Sequence, residues 1–159
     1  MIKIALIVTL IVISLFIPGC VNETPTPGNL EDVMITLERT VCFGACPVYK
    51  LTIYGDGTVI YEGIEFVKIE GTVTSTINED KIRQLVSAFR EIDYSSLNDS
   101  YEEFMATDMP YAITSITIDG KTKTVRHYHG DFSAPEELTQ LENKIDEIVS
   151  SDQWVKISP

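Results

Sequence analysis

Apolar and polar residues alternate from Val33: Val33, Ile35 and Leu37 fall on one side of an extended chain, and Met34, Thr36 and Glu38 on the other. This period of two predicts a strand with one buried face. A second alternation runs from Val48 to Tyr54, with Tyr49, Leu51 and Ile53 on one face. Gly55-Asp56-Gly57 is a turn signal, because glycine accepts the positive φ of tight hairpins, and Thr58 to Glu62 returns antiparallel. Phe66 to Val73 reads as a fourth strand, bulged at Gly71.

The period then changes. Ile82, Leu85, Val86, Phe89 and Ile92 form a helical stripe behind Asn78, whose side chain suits an N-cap. Tyr94 to Pro110 reads as a loop, and its acidic residues Asp99, Glu102, Glu103 and Asp108 as a solvated surface. Tyr111 to Ile118 and Lys121 to Tyr128 flank Asp119-Gly120 as a second hairpin. Ser133-Ala134-Pro135-Glu136 has the form of a capping box, opening a helix with Leu138, Leu141, Ile145, Ile148 and Val149 on one face. Trp154 follows and is expected to pack on the sheet. Segregated strands and hairpin turns predict an α+β fold: a two-layer domain with an antiparallel sheet of about six strands and two helices on one face.

The N-terminus follows a different pattern. Lys3 precedes an almost wholly apolar run, Ile4 to Ile17, which ends Pro18-Gly19-Cys20. A charged start and a short apolar core are those of a signal peptide. The ending resembles a lipobox, in which a lipoprotein signal peptidase cuts before a cysteine that receives a lipid. Gly19 and Ile17 suit that site, whereas Pro18 departs from the usual residue. The expected organisation is a lipoprotein signal peptide over 1–19, a flexible tether over 20–31 and a single domain over 32–159. Lipidation at Cys20 would fix the domain to the extracytoplasmic side of the cell membrane. Asn22 and Asn98 each begin a glycosylation sequon, a short pattern frequent by chance.

Charge narrows the partners. Twelve basic against 24 acidic residues give a net charge of −12. Nucleic-acid binding relies on cations that neutralise phosphates, so nucleic acid is not an expected partner. Membrane contact falls instead to the lipid on Cys20, and a protein or small-molecule partner stays open.

The most unusual chemistry lies in Cys42-Phe43-Gly44-Ala45-Cys46-Pro47-Val48-Tyr49. Three cysteines in an exported chain leave one over, and lipid on Cys20 would leave Cys42 and Cys46 as an even pair. A disulfide across so short a loop contributes only about 2 kcal/mol in the chain-entropy model, enough to fix a turn but not a fold. Zinc is the alternative: His127 and His129, two apart on a strand, point to one side and could join Cys42 and Cys46 in a tetrahedral shell. A thiol-redox pair is a further alternative, although C-x-x-x-C is one residue longer than the usual redox motif. The chain has no G-x-S-x-G, H-E-x-x-H or P-loop. No catalytic residue is therefore assigned, and an enzyme is not the favoured reading.

The C-F-G-A-C-P-V-Y motif with its following D-G hairpin, Asp108-Met109-Pro110, and a closing helix before Trp154 together resemble a family of domains of unknown function in exported, often lipid-anchored proteins. That resemblance implies an extracytoplasmic domain covering most of the mature chain, and it carries over no catalytic residues.

Overall fold

The computed structural model describes residues 30–103 and 105–157. Strands β1 (Met34–Arg39), β2 (Val48–Tyr54), β3 (Thr58–Glu65) and β4 (Gly71–Thr76) precede helix α1 (Glu79–Glu91). A 3-10 turn (Tyr94–Ser96) and a short strand β5 (Ser100–Tyr101) lead to β6 (Tyr111–Ile118) and β7 (Lys121–Tyr128). Helices α2 (Glu136–Val149) and α3 (Asp152–Val155) close the chain. The seven strands form one sheet in the order β4-β3-β2-β1-β6-β7-β5, antiparallel except where β5 lies parallel to β7. The fold is α+β, with a mixed sheet of seven strands and three helices.

Strand register explains why one face is buried. Val73, Tyr61, Leu51, Leu37, Thr114 and Val125 align across the sheet as successive partners. Leu37, Leu51, Tyr61 and Val125 in that row join one core with Ile82, Leu85 and Phe89 of α1 and Leu138, Leu141 and Ile145 of α2. Burying each such side chain stabilises by about 1.5–3 kcal/mol, an upper estimate, and this exceeds the intrinsic helicity of segments this short. The opposite face carries Thr74, Ile60, Thr52, Thr36, Ser115 and Thr124 in register, where Thr36 and Ser115 share a hydroxyl hydrogen bond of 2.6 Å. That row is mainly hydroxyl-bearing, and a neighbouring row on the same face carries Glu38, Lys50 and Glu62.

Several boundaries differ from expectation. Phe66 to Glu70 is not strand: β3 ends at Glu65, Phe66 takes a positive φ of 54°, and β4 begins only at Gly71. The register shift falls at Val48 and Tyr49, opposite the end of β3, instead of at Gly71. Asn78 caps α1 as expected, its side chain accepting the Lys81 N–H at 3.0 Å. Ser133 does not cap α2. Pro135 occupies that position, and Ser133 donates its N–H and hydroxyl to Asp131 instead. With the helix starting at Glu136, Ser133 stands too far upstream, and the ionised acceptor beside it is the stronger partner. Trp154 is buried against Tyr61, ring centroids 5.1 Å apart.

Candidate functional site

A second inward-facing row crosses the sheet one pleat closer to the Cys42 loop. It runs Gly63, Tyr49, Arg39, Ala112, His127 and Tyr101, each paired with the next. Tyr49, Arg39 and His127 carry polar groups that must find partners beneath α2, whereas the Tyr101 hydroxyl accepts the Asn98 N–H. The helix supplies Glu142 and Asp146, four residues apart and so on one face. A polar seam therefore runs between sheet and helix at this end of the domain.

At one end of the seam Asp146 collects three donors. The Tyr49 hydroxyl donates to its Oδ1 at 2.7 Å, Arg39 Nε to its Oδ2 at 2.9 Å, and the Ser151 hydroxyl also donates to Oδ1. Burial raises the Tyr49 pKa, and the Asp146 charge raises it further, so the phenol stays protonated. Burial alone would lower the Arg39 pKa, but electrostatic attraction to Asp146, Tyr49 and Glu142 and the hydrogen bond to Asp146 together outweigh it, and the net direction is upward. A cavity of about 400 Å³ opens beside this cluster, lined by Tyr49, Asp146, Ser151, Val155 and Lys156 among others.

At the other end, His127 Nδ1 lies 2.8 Å from Glu142 Oε1, and His129 Nε2 lies 2.8 Å from Glu142 Oε2. Glu142 is fully buried, whereas the His129 side chain is 22% exposed. Burial would raise the Glu142 pKa. Hydrogen bonds from both imidazoles and their charge overcome it and hold the carboxyl below its ordinary value. Asp131, in the loop after β7, accepts the Glu103 N–H at 2.8 Å and the two Ser133 donors, and its pKa is lowered mainly by Ser133.

The motif loop joins β1 to β2 at the same end. Cys42 and Cys46 lie at disulfide distance, with Cα atoms 5.8 Å apart. The loop is tied to its neighbour by the Phe43 N–H donating to the Asp108 carbonyl at 3.1 Å. Phe43 is 88% exposed and Val41 61% exposed.

Two pairs among the expected site residues are thus assembled: cysteine with cysteine, and histidine with histidine. The group of close potential ligands among the described residues is His127, His129 and Glu142, without the cysteines. Asp99 pairs with Lys123 and Glu102 with Arg126, so part of the acidic loop is neutralised by β7. Cys20, the signal peptide, Asn22 and nearly all of the tether lie outside the described residues. Among the described residues no helix is long and apolar enough to cross a membrane.

Arg39, Glu142 and Asp146 were not among the residues singled out from the sequence. A signal was present, since Glu142 falls between Leu138, Leu141 and Ile145 in the apolar stripe of α2, where a carboxylate needs a buried partner. A family model described as a domain of unknown function (DUF6438) matches residues 33–149. No curated protein matches the chain.

Proposed function

The chain belongs to the DUF6438 family, and we propose that it is an extracytoplasmic protein, held to the membrane by a lipid on Cys20, whose domain binds a protein partner without catalysing a reaction. The observation that carries the binding reading is a rim of exposed apolar side chains on three adjoining loops. Val41 and Phe43 stand on the cysteine-closed loop, Met105 and Met109 on the second, and Phe132, 70% exposed, on the third. Backbone hydrogen bonds from Phe43 to Asp108 and from Met105 to Gly130 hold the three loops side by side. Exposed apolar groups gathered at one place cost solubility and are a mark of interaction surfaces.

The placement fits a tethered protein. Leu30 precedes β1 at its Met34 end, and the rim follows β1 at its Arg39 end, roughly 20 Å away at the rise of a strand. A lipid on Cys20 would leave the rim facing away from the anchor. The pairing of Cys42 with Cys46 supports the export reading by parity, because it leaves Cys20 as the one cysteine without a mate.

Cys20→Ser should move the protein from the membrane fraction to the soluble one. Retention on the membrane would overturn the anchor. A photoreactive residue at position 43 should give a discrete protein adduct in intact cells, and one at Thr74 should not. Equal adducts from both positions, or none, would overturn the binding reading.

A further inference from the structure

We propose that His127, His129 and Glu142 form a binding site for one divalent transition-metal ion of the zinc class, with a solvent-facing coordination position beside His129. The site needs neither cysteine and stands independently of the anchoring and docking readings. One potential ligand atom from each of the three residues lies within 4.8 Å of the other two. Two neutral imidazoles and one carboxylate are a donor set zinc accepts, with room left for water.

The geometry requires little movement. Zinc bonds of about 2.0–2.2 Å at the tetrahedral angle set ligand atoms roughly 3.3 Å apart. Each imidazole nitrogen now lies 2.8 Å from a different carboxylate oxygen, so those pairs open by about half an ångström while the widest pair, within 4.8 Å, closes by up to about 1.5 Å, both within the reach of side-chain rotations. The backbone already fixes the rest. His127 lies within β7 and His129 immediately follows it, so their rings share one side, with centroids 4.7 Å apart. Glu142 stands mid-helix on α2, clamped from below by the apolar core.

Proton balance is also met. In the metal-free site both imidazole nitrogens facing the carboxylate donate to it. Metal binding needs each of those protons to leave the nitrogen that faces the carboxylate, to the other nitrogen of the same ring or to water, so that a lone pair there is free for the ion. The second imidazole is what separates this arrangement from a structural clamp. A buried carboxylate gains a partner from His127 alone, which is nearly as buried as Glu142 itself. His129 adds a ligand at the boundary with water, which gives an ion a path in and a hydrated position once bound.

Untagged full-length protein in detergent, kept free of reductant so that the cysteine pair stays oxidised, is titrated with zinc chloride by calorimetry. One equivalent is expected. Because the chain has only two histidines, imidazole nitrogen NMR reports the site directly, and both rings should shift together as one equivalent is added. Cobalt should give visible bands of low coordination number without sulfur charge-transfer absorption. His129→Ala should weaken zinc by more than about 100-fold, beyond what loss of a mere supporting group does. The proposal is overturned if zinc leaves both imidazole signals unmoved, or if His129→Ala binds within about threefold of the parent. It is equally overturned if Cys42→Ser with Cys46→Ser abolishes binding.

Discussion

Replacing Asp146 tests whether the polar seam holds the two layers together. Asp146→Ala removes the acceptor of the Tyr49 hydroxyl, the Arg39 guanidinium and the Ser151 hydroxyl at once. A hydrogen bond to a charged group contributes about 1.5–3 kcal/mol, and stranding one member of a buried ion pair costs about 3–5 kcal/mol. Both figures shrink here. The Arg39 and Asp146 side chains are 18% and 20% exposed, so water screens the pair, and Arg39 keeps a 3.3 Å bond to Asn143. Losses that share one acceptor also do not add. The expected cost is about 3 kcal/mol for Asp146→Ala and about 2 kcal/mol for Asp146→Asn, which retains one carbonyl acceptor. With a urea dependence of about 1–3 kcal/mol per molar, the unfolding midpoint should fall by roughly 1–3 M for the alanine variant. Circular dichroism in a urea series measures this. Arg39→Met combined with Asp146→Ala should cost about 1–2 kcal/mol less than the two changes summed. A midpoint shift under about 0.3 M for both Asp146 variants, or additive losses in the double variant, would refute the reasoning.

Two further outcomes follow from the turns. At Gly55 an added Cβ would overlap the Leu30 carbonyl, which is backbone and cannot swing away, whereas at Gly71 nothing lies near and only the φ of 95° resists a side chain. Gly55→Ala should therefore cost about 3 kcal/mol or more and Gly71→Ala about 1–2 kcal/mol, read from thermal or urea midpoints; equal losses would contradict the placement of Leu30. Asp56 accepts the Thr58 N–H at 2.8 Å, and that bond holds its pKa below the ordinary 3.8. A lowered folded pKa means the turn's stabilisation is complete above the ordinary value and disappears as pH falls through the lowered one. The Thr58 amide shift should titrate below pH 3.8 and lose that step in Asp56→Asn.

Strands with one buried face were legible because a period of two survives in Ile35 and Leu37 and in Leu51 and Ile53, and the Asp56-Gly57 and Asp119-Gly120 turns mark where they reverse. The stripe of α1 and its Asn78 cap were legible for the same kind of reason. β5 was not: two residues carry no period, and Ser100 and Tyr101 become strand only because β7 offers an edge beside them. The start of α2 misled because Ser133 and Glu136 have capping-box spacing, while Asp131 competes for the serine. The histidines were legible as a same-side pair. Their carboxylate partner was not, since nothing local says which strand α2 will cover, and the cysteine pair drew attention from Glu142.

The central position of β1 also sets the order in which this chain can fold. β1 pairs with β2 across a short loop, but its other edge waits for β6, whose Ser115 meets Thr36 from 79 residues away. Each doubling of a loop costs only about 0.6 kcal/mol in closure entropy, so the delay is one of time more than of stability. Until residues 111–118 arrive, the strand destined for the middle of the sheet is an edge, with its backbone groups open to any other chain. The Arg39–Asp146 link, spanning 107 residues, needs α2 docked over β1. The surface of this domain most open to other chains and the polar seam that fastens its layers thus both depend on segments that come late in the chain.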